Sequence, residues 1–178
     1  MPDRPSTFGA HAERPDVDGL AWRLLQNSSV HRCNTRTELA AVGAALAAEG
    51  YRQLLVDADR WGDTAEMHTD LAAALGASAG YGFNLDALAD LLRDRAETQF
   101  AAGPPPVSGT LLTVAGFGGF AERSPGNARG LLEAFAGAAR YGLLVGHLML
   151  CVVQSERQES AVGATPVAAV DPRWLRRS

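Results

Sequence analysis

Between residues 29 and 58 the chain runs as a short apolar stretch, a helix and a second short apolar stretch, and this order constrains the fold more than anything else in the sequence. Thr35 followed by Glu38 makes a capping box, in which hydroxyl and carboxylate satisfy first-turn N–H groups reciprocally. The Ala/Leu-rich run that follows stops at Gly50, a residue that readily takes the left-handed conformation ending a helix. Residues 29–33 before it suit a short strand closed by turn-prone Asn34. Residues 51–58 after it carry Leu54-Leu55-Val56 between Gly50 and Asp57, the pattern of a buried strand. Strand, helix and strand in that order predict a parallel, right-handed crossover. Upstream, residues 20–25 are apolar enough for a strand or a short helix.

The alternation continues downstream. Asp63 stands where it can cap a helix through residue 74, with Met67, Leu71 and Leu75 as a spaced apolar stripe ending at Gly76. A glycine-rich loop over 77–83 leads into a helix over 84–97, and the Gly103-Pro104-Pro105-Pro106 block forbids further helix. Residues 110–115 predict the next buried strand, 116–120 a connecting loop, and Asn127 or a neighbour the cap of a helix to Tyr141 with Leu131, Leu132 and Phe135 inward. Residues 147–153 predict a last strand. The tail is polar from 154, extended over 162–170, and basic at Arg173, Arg176 and Arg177. The fold class is α/β with a parallel sheet packed with helices.

With 178 residues, 47% of them hydrophobic, the chain can bury one ordinary core and carry extensions. A net charge of −4 argues against direct nucleic-acid binding, which needs a basic stripe to release counterions. Cys33 and Cys151 are far apart and in no zinc-type spacing, so neither a disulfide framework nor a metal site is indicated, and a reducing cytoplasm is the expected setting. Residues 1–19 read as a disordered lead-in without the apolar stretch of a signal peptide. No apolar run reaches the roughly 18 residues a membrane span requires, and residues 142–153 are broken by Gly146 and His147.

The helix over 84–97 is amphipathic: Leu85, Leu88 and Leu92 share one face, while Asp86, Asp90, Arg93 and Glu97 share the other. A charged face is ordinary for a surface helix. Asp86 and Asp90, however, are like charges one turn apart, which costs an isolated helix a few tenths of a kcal/mol, offset in part by the Asn84 cap and the N-terminal dipole. Tyr81, in the loop just before, places an aromatic beside these carboxylates, a combination that suits a contact with a basic cleft.

Tyr81-Gly82-Phe83-Asn84-Leu85-Asp86-Ala87-Leu88-Ala89-Asp90 resembles the signature of the barstar-like ribonuclease inhibitors, in which Tyr-Gly-x-Asn-Leu-Asp-Ala-Leu opens the inhibitory helix and an Asp lies one turn on. The resemblance extends to element order over residues 51–154, which it implies to be strand, helix, Tyr-Gly loop, acidic helix, strand, small helical turn, long helix and strand. It implies a small parallel sheet packed with helices, here with an N-terminal βα extension over 20–50 and a tail over 155–178. It also implies a cytoplasmic inhibitor that needs no cofactor and plugs the active site of a small secreted microbial ribonuclease, guanyl-type or related. On that expectation Asp90 mimics the RNA phosphate and Asp86 pairs with a neighbouring Arg. Tyr81, Gly82, Asn84 and Leu85 line the rest of the contact, with Ala89 and Arg93 at two further family contact positions. Four positions depart from the family pattern. Its Tyr-Tyr-Gly is Gly80-Tyr81-Gly82, its exposed Trp is Ala89, its Thr one turn later is Arg93, and an acidic residue falls at Gly137, with Glu133 one turn earlier. These departures imply a different cognate ribonuclease or some lost affinity. They leave open an interaction module that inhibits no nuclease.

Other chemistries find less support. Two carboxylates on one solvated face share one environment, whereas an acid–base pair needs two different ones. His31 and Cys33 have the spacing of half a metal site with no second pair, and His68 and His147 read as surface or boundary residues. The glycines of 116–119 match neither a dinucleotide fingerprint nor a P-loop, and Tyr51, Trp61 and Trp174 are too scattered for a base-stacking platform.

Overall fold

The computed structural model of the protein describes residues 19–101, 108–158 and 161–177. The lead-in apart from Gly19, the Gly103–Pro106 block and the side chains of Arg176 and Arg177 lie outside the described residues. Helix α1 (Leu20–Leu25) precedes strand β1 (Val30–Cys33), helix α2 (Arg36–Ala48) and strand β2 (Tyr51–Asp57). Helices α3 (Thr64–Leu75) and α4 (Leu85–Ala101) lead to β3 (Gly109–Ala115), and α5 (Phe117–Arg123) and α6 (Pro125–Leu144) lead to β4 (Leu148–Gln154). Short strands β5 (Ala161–Val162), β6 (Thr165–Pro166) and β7 (Ala168–Ala169) follow, then a 3-10 turn (Trp174–Arg177).

Five strands form one sheet in the order β2-β3-β4-β1-β7, every pairing parallel. The strand of the N-terminal extension thus lies inside the sheet, with Val30 opposite Cys151, and the tail adds the outermost strand. The crossover from β1 to β2 passes two strands before it lands. β3, which lies between β2 and β4, is buried along all seven residues, as expected of a parallel strand covered on both faces.

Each face of the sheet carries its own core. On one, Leu54, Val56, Leu112, Val114, Met149, Cys151 and Val153 meet α3, α4, α5 and α6. On the other, Leu111, Ala115, Leu150 and Val152 are covered by Leu20 and Leu24 of α1, Leu39, Val42 and Leu46 of α2, and Val170 of the tail. The capping box forms as expected, with Thr35 accepting from the Glu38 amide. The carboxylate of Glu49, just past α2, accepts from the Leu20 and Ala21 amides at 2.6 and 3.0 Å, and so binds the first turn of α1.

Residues 20–25 take the second of the two forms expected, a short helix. Other segments differ from the expectation. Residues 116–120 are not a loop: α5 begins at Phe117 and buries Phe117 and Phe120, one helical turn apart, with Gly116 left-handed at φ 65° before it. His68 and His147 are not surface residues, for both are buried. Each ring is hydrogen-bonded to a hydroxyl, Tyr81 for His68 and Thr110 for His147. The expected structural reading of His31 and Cys33 stands: both are buried, and His31 Nε2 lies 2.9 Å from the Ser28 carbonyl and 3.1 Å from that of Leu24.

Candidate functional site

α3 and α4 are joined by a turn whose geometry follows from its residues. Gly76 takes φ 67°, and the Ala77 amide donates to Ala72 across the end of α3. The Arg95 guanidinium, one of the inner groups of α4, donates to the Leu75 carbonyl and ties α4 to the end of α3. The chain then turns, with the Tyr81 amide on Ser78, and enters α4 through Asn84. Asn84 Oδ1 accepts from the Ala87 amide at 2.8 Å, which makes Asn84 the cap expected from the sequence.

Beyond that cap the apolar stripe behaves as expected. Leu88, Leu92 and Ala96 are buried in the core, and Leu85 is half-buried beside Gly130 of α6, where any side chain would collide with it. Asp86, Asp90, Arg93, Asp94 and Glu97 are exposed, while Ala89 is half-buried among them. Arg93 donates to Asp90 at 3.1 Å, folding its charge back along its own helix, and the Tyr141 hydroxyl of α6 donates to Glu97. Of the two positions considered for an additional carboxylate, Gly137 offers none. Glu133 is already engaged, 3.9 Å from Arg129 and accepting from the Ala164 amide of the β5–β6 turn.

Two residues of this region escape the sequence reading. His68 lies beneath the loop with its Nδ1 2.7 Å from the Tyr81 hydroxyl, and burial lowers its pKa and raises that of Tyr81. Phe83 stands outside, 54% exposed, its ring centroid 5.2 Å from that of Tyr81. Its backbone takes φ 49°, which no other non-glycine among the described residues shares with a positive sign. The signal for Phe83 was an apolar residue in an otherwise glycine-rich loop. For His68 it was a place next to Met67, where the inward stripe of α3 is wide enough to include both.

Elsewhere a cavity of about 470 Å³ opens at the carboxyl ends of β1, β3 and β4, between Arg36, Asp59, Gly118, Glu122 and Gln154. Its cations are neutralised locally, Arg36 by Asp57 and Asp59 and Arg157 by Glu122. Among the described residues, no cluster of three metal-ligating side chains exists, and no helix is long and apolar enough to cross a membrane.

The class of protein is thus an α/β fold with a parallel sheet, in which a capped helix with exposed carboxylates follows a Tyr-Gly turn. The family model described as Barstar (barnase inhibitor) matches residues 51–154, more than half of the chain, and the chain belongs to that family. No curated protein matches it.

Proposed function

We propose that the protein is an intracellular inhibitor of a small secreted ribonuclease, guanyl-type or related, made by the same cell. Its activity is binding, with no covalent step. Asp90 takes the place of the RNA phosphate and Asp86 pairs with an adjacent Arg, while Tyr81, Gly82, Asn84, Leu85, Ala89 and Arg93 complete the contact. Residues 51–154 are the inhibitory unit, and 20–50 and 155–178 are additions to it. The observation that carries this reading is the exposure of Asp86 and Asp90 on one side of a helix fixed at its start by Asn84. Fixed carboxylates suit a cleft of cations better than mobile ones, because less freedom is lost on docking. The barnase–barstar pair is itself a known example of such electrostatic steering and of a single dominant acidic residue.

The test is titration of the protein into a panel of small secreted ribonucleases, following RNA cleavage at low and moderate salt. Inhibition that weakens with salt is expected. Asp90→Ala should loosen the complex by roughly 2–5 kcal/mol, and Asp94→Ala, on the flank of the helix, by under about 0.5 kcal/mol. No inhibition of any ribonuclease at micromolar protein would leave the second reading, a barstar-fold interaction module. The Arg93–Asp90 pair is what that second reading starts from, since a ribonuclease cation has to displace Arg93 to reach Asp90.

A further inference from the structure

Phe83 is costly for the isolated protein in two ways. A phenylalanine at positive φ is strained, since its Cβ crowds the carbonyl and it has no short polar side chain to bond back to the chain. More than half of its surface is also left in water. Strained residues persist where the surroundings over-determine them, and they concentrate at functional sites. Here the surroundings are a line of rings running from the core to the surface. His68 is 1% exposed and bonded to the Tyr81 hydroxyl, its ring 5.8 Å from that of Tyr81, and the Tyr81 ring in turn supports that of Phe83. The ring of Phe83 is therefore held against Tyr81 with its outer side in water, where a partner can cover it.

Its position gives the chemistry of that partner. Phe83 precedes the Asn84 cap by one residue and Asp86 by three, so a flat apolar group and two anionic groups leave the same end of α4. A nucleotide has those same two halves, and a ribonuclease must hold both, cations around the phosphate and a flat recess for the base. We propose that Phe83 fills the recess in which the partner ribonuclease seats a nucleobase, beside the carboxylates that stand for the phosphate. The assignment rests on the inhibitor reading above and adds to it a second half of the mimicry. The other exposed large apolar side chains among the described residues do not share the setting: Trp22 lies on α1, Leu143 and Leu144 end α6, and Leu55 lies on the edge strand β2.

Phe83→Asn separates this from a structural role, because Asn enters the left-handed region more easily than Phe and removes the ring. Its melting temperature should equal or exceed that of the wild type. Its inhibition of the ribonuclease that the wild type inhibits best should weaken about thirty-fold or more, the size expected of a hot-spot side chain. Guanosine, which carries a base and no phosphate, should compete with the wild-type inhibitor but not with Phe83→Asn, whereas inorganic phosphate should compete with both. A loss below about three-fold would overturn the proposal while leaving the inhibitor reading intact. So would a large loss without guanosine competition, which would seat the ring on some other apolar surface of the enzyme. A wild-type chain that inhibits no ribonuclease would overturn both readings together.

Discussion

Arg93 lies across Asp90, and on the proposed inhibitor reading that pair sets what a partner has to offer at this point of α4. Both side chains are well exposed, 49% and 73%, and such a pair contributes only about 0–1 kcal/mol, so a bidentate guanidinium on a partner can take the carboxylate over. Arg93 itself then needs a carboxylate or open water facing it. The buried histidines act on stability instead. Desolvation lowers the pKa of His31, His68 and His147 below the usual value, so each is neutral when folded and gains a proton on unfolding in acid. Below about pH 6.5 the unfolded chain binds more protons than the folded one, and stability falls as pH falls. The loss continues until the folded-state pKa is reached. A urea midpoint measured at pH 7.5 and again at pH 5.5 should be lower at 5.5, with a slope of up to about 1.4 kcal/mol per pH unit for each histidine titrating. His68→Gln should flatten that dependence. A midpoint unchanged over this range would show that the rings are not shielded as described.

At the scale of the element, the most legible pieces were those whose ends carry their own chemistry. Thr35 and Glu38, Asp63, Asn84, Gly50 and Gly76 all mark termini by local hydrogen bonding or backbone freedom, and the structure uses each at or next to the expected place. Residue patterning alone missed α5 for the opposite reason, although the family's element order implies a small helical turn there. Gly116, Gly118 and Gly119 imitate a loop, and the helix forms because Phe117 and Phe120 have a core to enter and because Gly118 lies against Ser155, where a Cβ would come within 2.8 Å of its hydroxyl. That information is tertiary. α4 is the reverse case, a helix whose start is fixed by a side chain. Asn84→Ala removes the acceptor of the Ala87 amide and should cost about 1 kcal/mol in urea unfolding, while Asn84→Asp should keep the cap and gain from the helix dipole. Hydrogen exchange at Ala87 should rise in the alanine variant alone. Equal stability of all three chains would mean that packing of Leu88 and Leu92, and not the cap, holds the start of the helix.

For the whole molecule, element order was legible because helix and strand periodicities are local, but strand order was not. Nothing in residues 29–33 says that β1 will lie between β4 and β7, since its register against β4 depends on side chains about 120 residues away. The consequence is energetic. Leu111, Leu150 and Val152 are buried under α1, α2 and the tail, on the sheet face away from α4. Exposing these three would forfeit roughly 5–9 kcal/mol, comparable to the whole stability of a domain, about 5–15 kcal/mol. The segment that matches the family therefore ends where its sheet is half covered. Residues 51–154 expressed alone should bind a hydrophobic dye and unfold without a cooperative urea transition, and restoring residues 19–50 together with 155–178 should return the cooperativity. A sharp transition in the 51–154 fragment, near the midpoint of the full chain, would mean that the second core adds little and that the extension is an appendage to a self-sufficient fold.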